Sequence, residues 1–334
     1  MEKKTTGPMT ILITGAAGYL GSTLTPLLLA GGHRVRGVDS LRQGGGSLLG
    51  SWAHPRFRFT RADIRDREAM AACLKGADAV VHLAAIVGDP ACAQAPDEAR
   101  AVNIEASLVL LAAAEATGVE RFLFASTCSN YGKMADSDGM VNEDSELRPV
   151  SLYAETKVAV ERAMLDPKRF PRLCTTALRL STLFGVSPRM RFDLTVNEFV
   201  RELLVRKRLT VYGEQFWRPY IHVRDAARAF ALILAQDRAR VYHEVFNVGS
   251  DDQNFRKQDL LRMLGPLAPQ ARIERFAKAE DPRDYRVSFQ KIRKRLGFEV
   301  ECSVDEGIEE LAQLIRDGVL RDFDAPEFSN LPSS

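Results

Sequence analysis

Short apolar runs alternate with longer stretches of helical periodicity through the first half of the chain. Runs at residues 10–14, 34–38, 56–61, 79–83 and 121–126 predict strands, and Ala/Leu-rich stretches at 22–30, 67–74 and 101–116 predict helices between several of them. Strand and helix in repeated alternation imply parallel strands, because a parallel neighbour is reached only by a long crossover packed on the sheet face. The predicted fold class is therefore α/β, with a doubly wound, mostly parallel sheet. Beyond residue 178 the pattern is less regular, with helical stretches at 194–206, 223–235 and 303–317. These predict a smaller mixed α/β lobe. The expected organisation is a first domain over residues 1–177, a smaller lobe over 178–327 with some segments returning to the first domain, and a flexible, Pro-containing tail at 328–334.

Ligands of such sheets bind at the carboxyl ends of the strands. The first predicted strand runs into Thr14-Gly15-Ala16-Ala17-Gly18-Tyr19-Leu20-Gly21 and then a helix. A glycine turn lets the backbone approach a pyrophosphate, and the following helix N-terminus supplies free N–H groups and a positive dipole end. The second strand ends in Gly37-Val38-Asp39, close to the spacing of about 20 residues at which an acid accepts hydrogen bonds from the adenosine ribose. This is a Rossmann-type cofactor signature. The Asp39 carboxylate would repel a 2′-phosphate, so NAD is expected in preference to NADP, with Arg42 close in sequence as the one opposing charge. The third strand ends in Ala62-Asp63-Ile64 and the fourth in Val81-His82-Leu83-Ala84-Ala85, whose small residues would let a flat cofactor lie against the backbone. His82, alone in an apolar strand, reads as structural.

After the fifth strand come Ser126-Thr127-Cys128-Ser129-Asn130-Tyr131-Gly132, and then Ser151-Leu152-Tyr153-Ala154-Glu155-Thr156-Lys157 opening a helix. Tyr153 and Lys157 stand one turn apart on one helix face. A phenol with a pKa of about 10 is a poor base at neutral pH, and a nearby ammonium favours its ionised form.

Together these motifs resemble the extended short-chain dehydrogenase/reductase family, and within it the NAD-dependent sugar-nucleotide epimerases and dehydratases, such as the UDP-galactose 4-epimerases. The resemblance spans nearly the whole chain, from the glycine turn through Asn103 and Tyr153/Lys157 to Arg218-Pro219-Tyr220-Ile221-His222-Val223. It implies Tyr153 as the acid/base for a sugar hydroxyl, Lys157 as its tuner and holder of the nicotinamide ribose, and Thr127 as a hydrogen-bond partner of the reacting oxygen. It implies NAD contacts at Gly15, Gly18, Tyr19, Leu20, Gly21, Asp39, Asp63, Ile64, Leu83, Ala84 and Ala85, and a structural role for Asn103. Substrate diphosphate or nucleotide contacts are implied at Asn197, Arg218 and Arg283. Dehydratases of the family carry Asp-Glu directly after the hydroxyl residue, whereas this chain has Cys128-Ser129. That departure favours an epimerase, with a one-way reductase or dehydrogenase of a keto-sugar nucleotide as the alternative and a non-catalytic nucleotide-binding regulator further behind. The family also implies a homodimer through a four-helix bundle, here built from helices at 103–117 and 153–165.

Composition removes other classes. With 46 basic against 44 acidic residues and a net charge of +2, no whole-chain field favours nucleic acid or an anionic membrane. The five scattered cysteines lack zinc-site or disulfide-framework spacing, so no metal is expected and the thiols read as reduced. The opening residues lead directly into a strand with no secretory apolar region, and no apolar run reaches the roughly 18 residues of a membrane span. A cytoplasmic protein is expected.

Overall fold

A computed structural model describes residues 7–133, 139–277 and 283–330. Seven strands form the main sheet: β1 Thr10–Thr14, β2 Arg34–Asp39, β3 Phe57–Arg61, β4 Ala79–His82, β5 Arg121–Thr127, β6 Cys174–Leu180 and β10 Glu244–Val248. Their order is β10-β6-β5-β4-β1-β2-β3, and every pairing is parallel. The order reverses at β1, so the carboxyl ends of β1, β2 and β4 enclose a crevice. β1 shows how the pattern dictates the layers. Ile11 and Ile13 face the helices Gly21–Ala30 and Val223–Leu234, while Leu12 faces Arg67–Leu74 and Ser107–Thr117.

The smaller lobe has a mixed sheet of β7 Thr182–Phe184, β9 Trp217–His222 and β11 Asn254–Arg256, and a parallel pair of β8 Arg208–Tyr212 and β12 Arg272–Phe276. Phe184, Phe199, Tyr220, Leu260 and Ile308 anchor its own core.

Four expectations are corrected. The boundary at residue 177 falls inside β6, and β10 is one of the returning segments expected from the second half, completing the sheet edge. An apolar strand reads the same whichever sheet it joins, so local pattern could not assign either. The helices expected at 101–116 and 194–206 each contain a wider π segment, Ala101–Ala106 and Glu202–Arg206. The tail expected to be flexible is pinned over its first residues: Phe192 N–H donates to Phe328 O at 2.8 Å, and Asn330 N–H to Asp193 Oδ2 at 3.2 Å. Residues 331–334 lie outside the described residues. Finally, on the helices expected to build the four-helix bundle of a dimer, Leu111, Ala114, Val158 and Met164 are buried within the chain, so the outward face is narrow and carries Ala112 and Ala116 with half-buried Leu108, Ala159 and Ala163. A helix beside a sheet turns its larger side chains inward and leaves the small ones outside.

Among the described residues no helix is long and apolar enough to cross a membrane.

Candidate active site

The glycine turn after β1 is held against the sheet by Gly15 N–H and Ala16 N–H, both donating to Val38 O. Gly15 has φ +76°, and a Cβ there would stand 2.8 Å from Ala84 N. A Cβ on Gly21 would collide with Gly15 O. Both positions therefore require glycine, the first for its left-handed backbone and the second for close packing of turn and helix. Asp39 closes this cradle: its carboxylate accepts from Ala17 N at 3.0 Å and from Leu41 N at 2.8 Å, leaving further lone pairs for ribose hydroxyls. Burial pushes the Asp39 carboxyl above its usual range, opposed by those two N–H groups and by the charge of Arg189. Arg42, the opposing charge in sequence, is turned away onto Glu98 at 2.9 Å. The Asp63 carboxylate is gripped by Arg65 at 2.7 Å, Ile64 is buried, and Leu83 N–H donates to Thr14 O, which brings Leu83, Ala84 and Ala85 beside the turn. Turn, helix end and pinned acid fit a dinucleotide. Replacing Asp39 by Ser is expected to narrow the preference for NAD over NADP several-fold, since the charge repelling a 2′-phosphate is removed; equilibrium titration of both nucleotides checks it.

His82 is a bracket: its ring lies 2.7 Å from Thr14 Oγ1 and 2.8 Å from Ser107 Oγ, and burial holds its pKa down to about 3. Asn103 is another, accepting from Ile86 N at 2.8 Å and donating to Ile86 O and Thr156 Oγ1.

Thr127 ends β5, and its Oγ1 accepts Ser129 N–H at 3.1 Å, which starts the short turn over Cys128–Tyr131. The next helix, Leu152–Met164, is capped by Ser151, whose Oγ accepts Ala154 N–H. This cap fixes the first turn, which presents Tyr153. Lys157 follows one turn later, its ammonium 4.7 Å from the Phe124 ring centre and 5.8 Å from that of Tyr153. Burial lowers the Lys157 pKa to about 8. Burial also pushes the Tyr153 phenol up, aided by the Cys92 thiol and Asp89, while Arg191 pulls it down. Tyr153 and Lys157 are thus both desolvated, and the cation that pulls the phenol down is Arg191 of the smaller lobe. Cys128 is a packed structural thiol, its Sγ donating to Arg179 O at 3.2 Å and its pKa raised by burial.

A buried lysine costs stability while it is charged. The folded pKa lies below the ordinary value of 10.5, so the penalty is full below pH 8 and fades between pH 8 and 10.5 as the folded form sheds its proton. Lys157→Met is expected to stabilise the protein at pH 7 by on the order of 2–3 kcal/mol, a gain that shrinks as pH rises through this window. Urea unfolding at pH 7 and pH 10 measures it; a gain that is equal at both, or absent, would contradict the burial effect.

The residues expected to hold substrate behave differently from one another. Arg218 is 9% exposed and lies over the Tyr285 ring, 5.4 Å from its centre. Tyr285 in turn places its hydroxyl 3.3 Å from Ser129 Oγ, which links Arg218 to the end of β5. Arg283 reaches across to Asp89 at 2.7 Å, and Asp89 also accepts from Ser151 Oγ at 2.7 Å, so this pair sits beside the start of the Tyr153 helix. Asn197 departs from expectation. It is fully buried and its amide is spent on Gly185 N, Arg191 O and the Tyr19 hydroxyl. The Tyr19 hydroxyl is likewise spent within the protein, donating to Gly185 O. On the inner face of a helix a buried amide must be satisfied within the protein, and here it joins the lobes. Sequence reasoning missed Tyr285, Asp89 and Arg191. Tyr285 and Arg191 belong to segments rich in arginine and aspartate, where no spacing singles out one side chain. Among the described residues no cluster of His, Cys, Asp and Glu could hold a metal.

A doubly wound sheet with a glycine cradle, a ribose acid and a Tyr/Lys pair defines a dinucleotide-dependent enzyme acting on a hydroxyl or carbonyl group. The NAD dependent epimerase/dehydratase family model matches residues 11–249; the chain belongs to this family, within the extended short-chain dehydrogenases/reductases, and NAD is its cofactor. It is 31% identical to a dTDP-glucose 4,6-dehydratase of Actinoplanes sp. over 90% of this chain and 96% of the relative. It is 29% identical to the UDP-glucose 4-epimerase of Corynebacterium glutamicum over 88% of this chain and 91% of that one. The structure of UDP-glucuronic acid 4-epimerase from Bacillus cereus in complex with UDP-glucuronic acid and NAD is similar with a TM-score of 0.82 and 26% identity, covering 92% of this chain and 99% of its own.

Proposed function

We propose that the protein is an epimerase of a nucleotide-diphosphate sugar, inverting C4 through a transient keto-sugar. The observation that carries this reading is the pair of residues after Thr127. Relatives include both epimerases and dehydratases, but Cys128 is buried and bonded to Arg179 O, and Ser129 faces Tyr285. Neither supplies the acid/base pair that elimination of water needs. Thr127, Tyr153 and Lys157 suffice for reversible oxidation. Bound NAD would accept and return the hydride. Thr127 and Tyr153 hold the reacting oxygen, and Tyr153 takes its proton and gives it back, helped by the positive charge of Lys157. Arg218 holds the diphosphate by charge-assisted hydrogen bonds, which lets the sugar turn over while the nucleotide stays fixed.

The test incubates the purified protein with candidate UDP- and dTDP-sugars in deuterated water. The expected product is the C4 epimer, with no loss of water, no deuterium at carbon and no net change in NAD. Loss of water would establish a dehydratase, and stoichiometric consumption of reduced cofactor the one-way reductase. Arg218→Ala is expected to weaken the sugar nucleotide at least about tenfold while NAD binding changes little, because a charge-assisted contact contributes about 1.5–3 kcal/mol; calorimetric titration of both ligands checks it.

We further propose that the chain works in the cytoplasm, consistent with five unpaired cysteines. It pairs as a homodimer through the outer faces of Ser107–Thr117 and Leu152–Met164, where the small side chains of Ala112, Ala116, Ala159 and Ala163 permit close helix approach. The site residues assigned above, and a cofactor domain joined to a substrate lobe, belong to the same proposal.

A further inference from the structure

A segment of the smaller lobe, residues 185–191, is bolted to the turn that opens the first helix. Tyr19 donates its hydroxyl proton to Gly185 O. Ser187 Oγ donates to Tyr19 O at 2.7 Å, and the hydroxyls of Ser22 and Thr23 each lie 3.2 Å from it. These bonds place the segment against the N-terminal end of Gly21–Ala30, where free N–H groups and the helix dipole attract an anion.

On this segment stands Arg189. It is 6% exposed, its Nε is buried without a partner, and among the described residues it forms no ion pair. Its neighbour Arg191 is satisfied by both oxygens of Asp193. Arg189 N–H donates to Ser187 Oγ, the hydroxyl bonded to the turn, which keeps the residue beside the glycine cradle, and the charges of Arg189 and Asp39 act on one another. Burial and Arg191 bring the Arg189 pKa down to about 10. A buried guanidinium with a free donor is costly unless an anion meets it.

The C-terminal segment secures this arginine. Arg189 Nη2 donates to Ser329 O at 3.2 Å, while Phe192 N–H and Asp193 Oδ2 bond to Phe328 and Asn330. The Phe328 ring stands edge-on to Phe192 at 6.0 Å.

We propose that Arg189 is a cofactor-binding residue, a guanidinium delivered by the smaller lobe to the pyrophosphate of NAD and held there by residues 328–330. Cofactor binding then joins the two lobes, and the C-terminal segment tunes cofactor affinity without touching the dinucleotide. The inference depends on the cofactor alone and stands whether the enzyme epimerises, dehydrates or reduces.

The experiment titrates NAD, ADP-ribose, NADP and UDP into the full chain, into Arg189→Gln and into a chain ending at Glu327. Arg189→Gln is expected to weaken NAD and ADP-ribose alike by at least about tenfold and to leave UDP within about twofold. The shortened chain is expected to lose several-fold in NAD affinity. Unchanged NAD and ADP-ribose affinity in Arg189→Gln would overturn the proposal, as would a loss for NADP exceeding that for NAD, which would assign the guanidinium to a 2′-phosphate. Equal loss of UDP would mark general damage to the lobe and also count against it. Should Arg189→Gln not fold, Arg189→Lys decides. Loss of the planar fork is expected to weaken NAD and ADP-ribose several-fold, and full-chain affinity in that variant refutes the proposal.

Discussion

Replacing Tyr153 by Phe is expected to lower turnover by roughly 10²–10⁴-fold, the effect of losing a general acid/base, while the fold and NAD affinity stay close to those of the parent. The ring keeps its place because the Ser151 cap and the helix backbone hold it, and the hydroxyl contributes no hydrogen bond to the fold among the described residues. Burial raises the phenol pKa in the ligand-free protein. Its ionised form must therefore be recovered by nearby positive charge. Burial lowers the Lys157 pKa to about 8, and in the ligand-free protein Arg191 is the cation that pulls the phenol down. Stopped assays with the true sugar nucleotide and titrations of NAD measure the two quantities separately. Turnover within about threefold of the parent would remove Tyr153 from the chemistry.

Glu161→Ala is expected to destabilise the protein by about 3–5 kcal/mol, because it strands the buried guanidinium of Arg179. Glu161 lies one turn beyond Lys157 and is 1% exposed; Arg179 is 4% exposed. Glu161 Oε1 accepts from Arg179 Nε at 3.0 Å, and Oε2 accepts from Ser126 Oγ at 2.6 Å and from Asn130 Nδ2 at 3.4 Å. Arg179 continues the network to the Tyr131 hydroxyl, which donates to Asn247 Oδ1 at 2.7 Å. One carboxylate thus ties the helix that carries Tyr153 and Lys157 to β5 next to Thr127, and through Arg179 to β6 and β10. Urea unfolding quantifies the loss. A change below about 1 kcal/mol would contradict the stranding of Arg179.

The grouping of the residues in the cofactor half of the candidate site was legible because it is local. Gly15, Gly18 and Gly21 lie in one turn, Asp39 ends the next strand, and Tyr153 and Lys157 share one helix face, so spacing alone groups them. The periodicities of the first five strands and their helices announced a parallel sheet for the same reason, since side-chain alternation is set by the nearest few residues.

Contacts across the cleft were not legible. Asp89 meets Arg283, Tyr285 joins Ser129 to Arg218, and Tyr19 bonds Gly185, each between segments far apart in the chain. Which of several arginines faces an anion, and that Asn197 spends its amide inside the protein, depends on how two lobes pack. The sequence by itself determined the glycine turn with Asp39 at the end of the next strand, the placing of Tyr153 and Lys157 on one helix face and the parallel architecture, because backbone geometry and short-range spacing dictate them. Only the tertiary structure decided the return of β10 to the sheet, the pinning of residues 328–330 and the burial of Arg189 beside the cradle, because burial and long-range hydrogen bonding exist only once the chain has closed on itself.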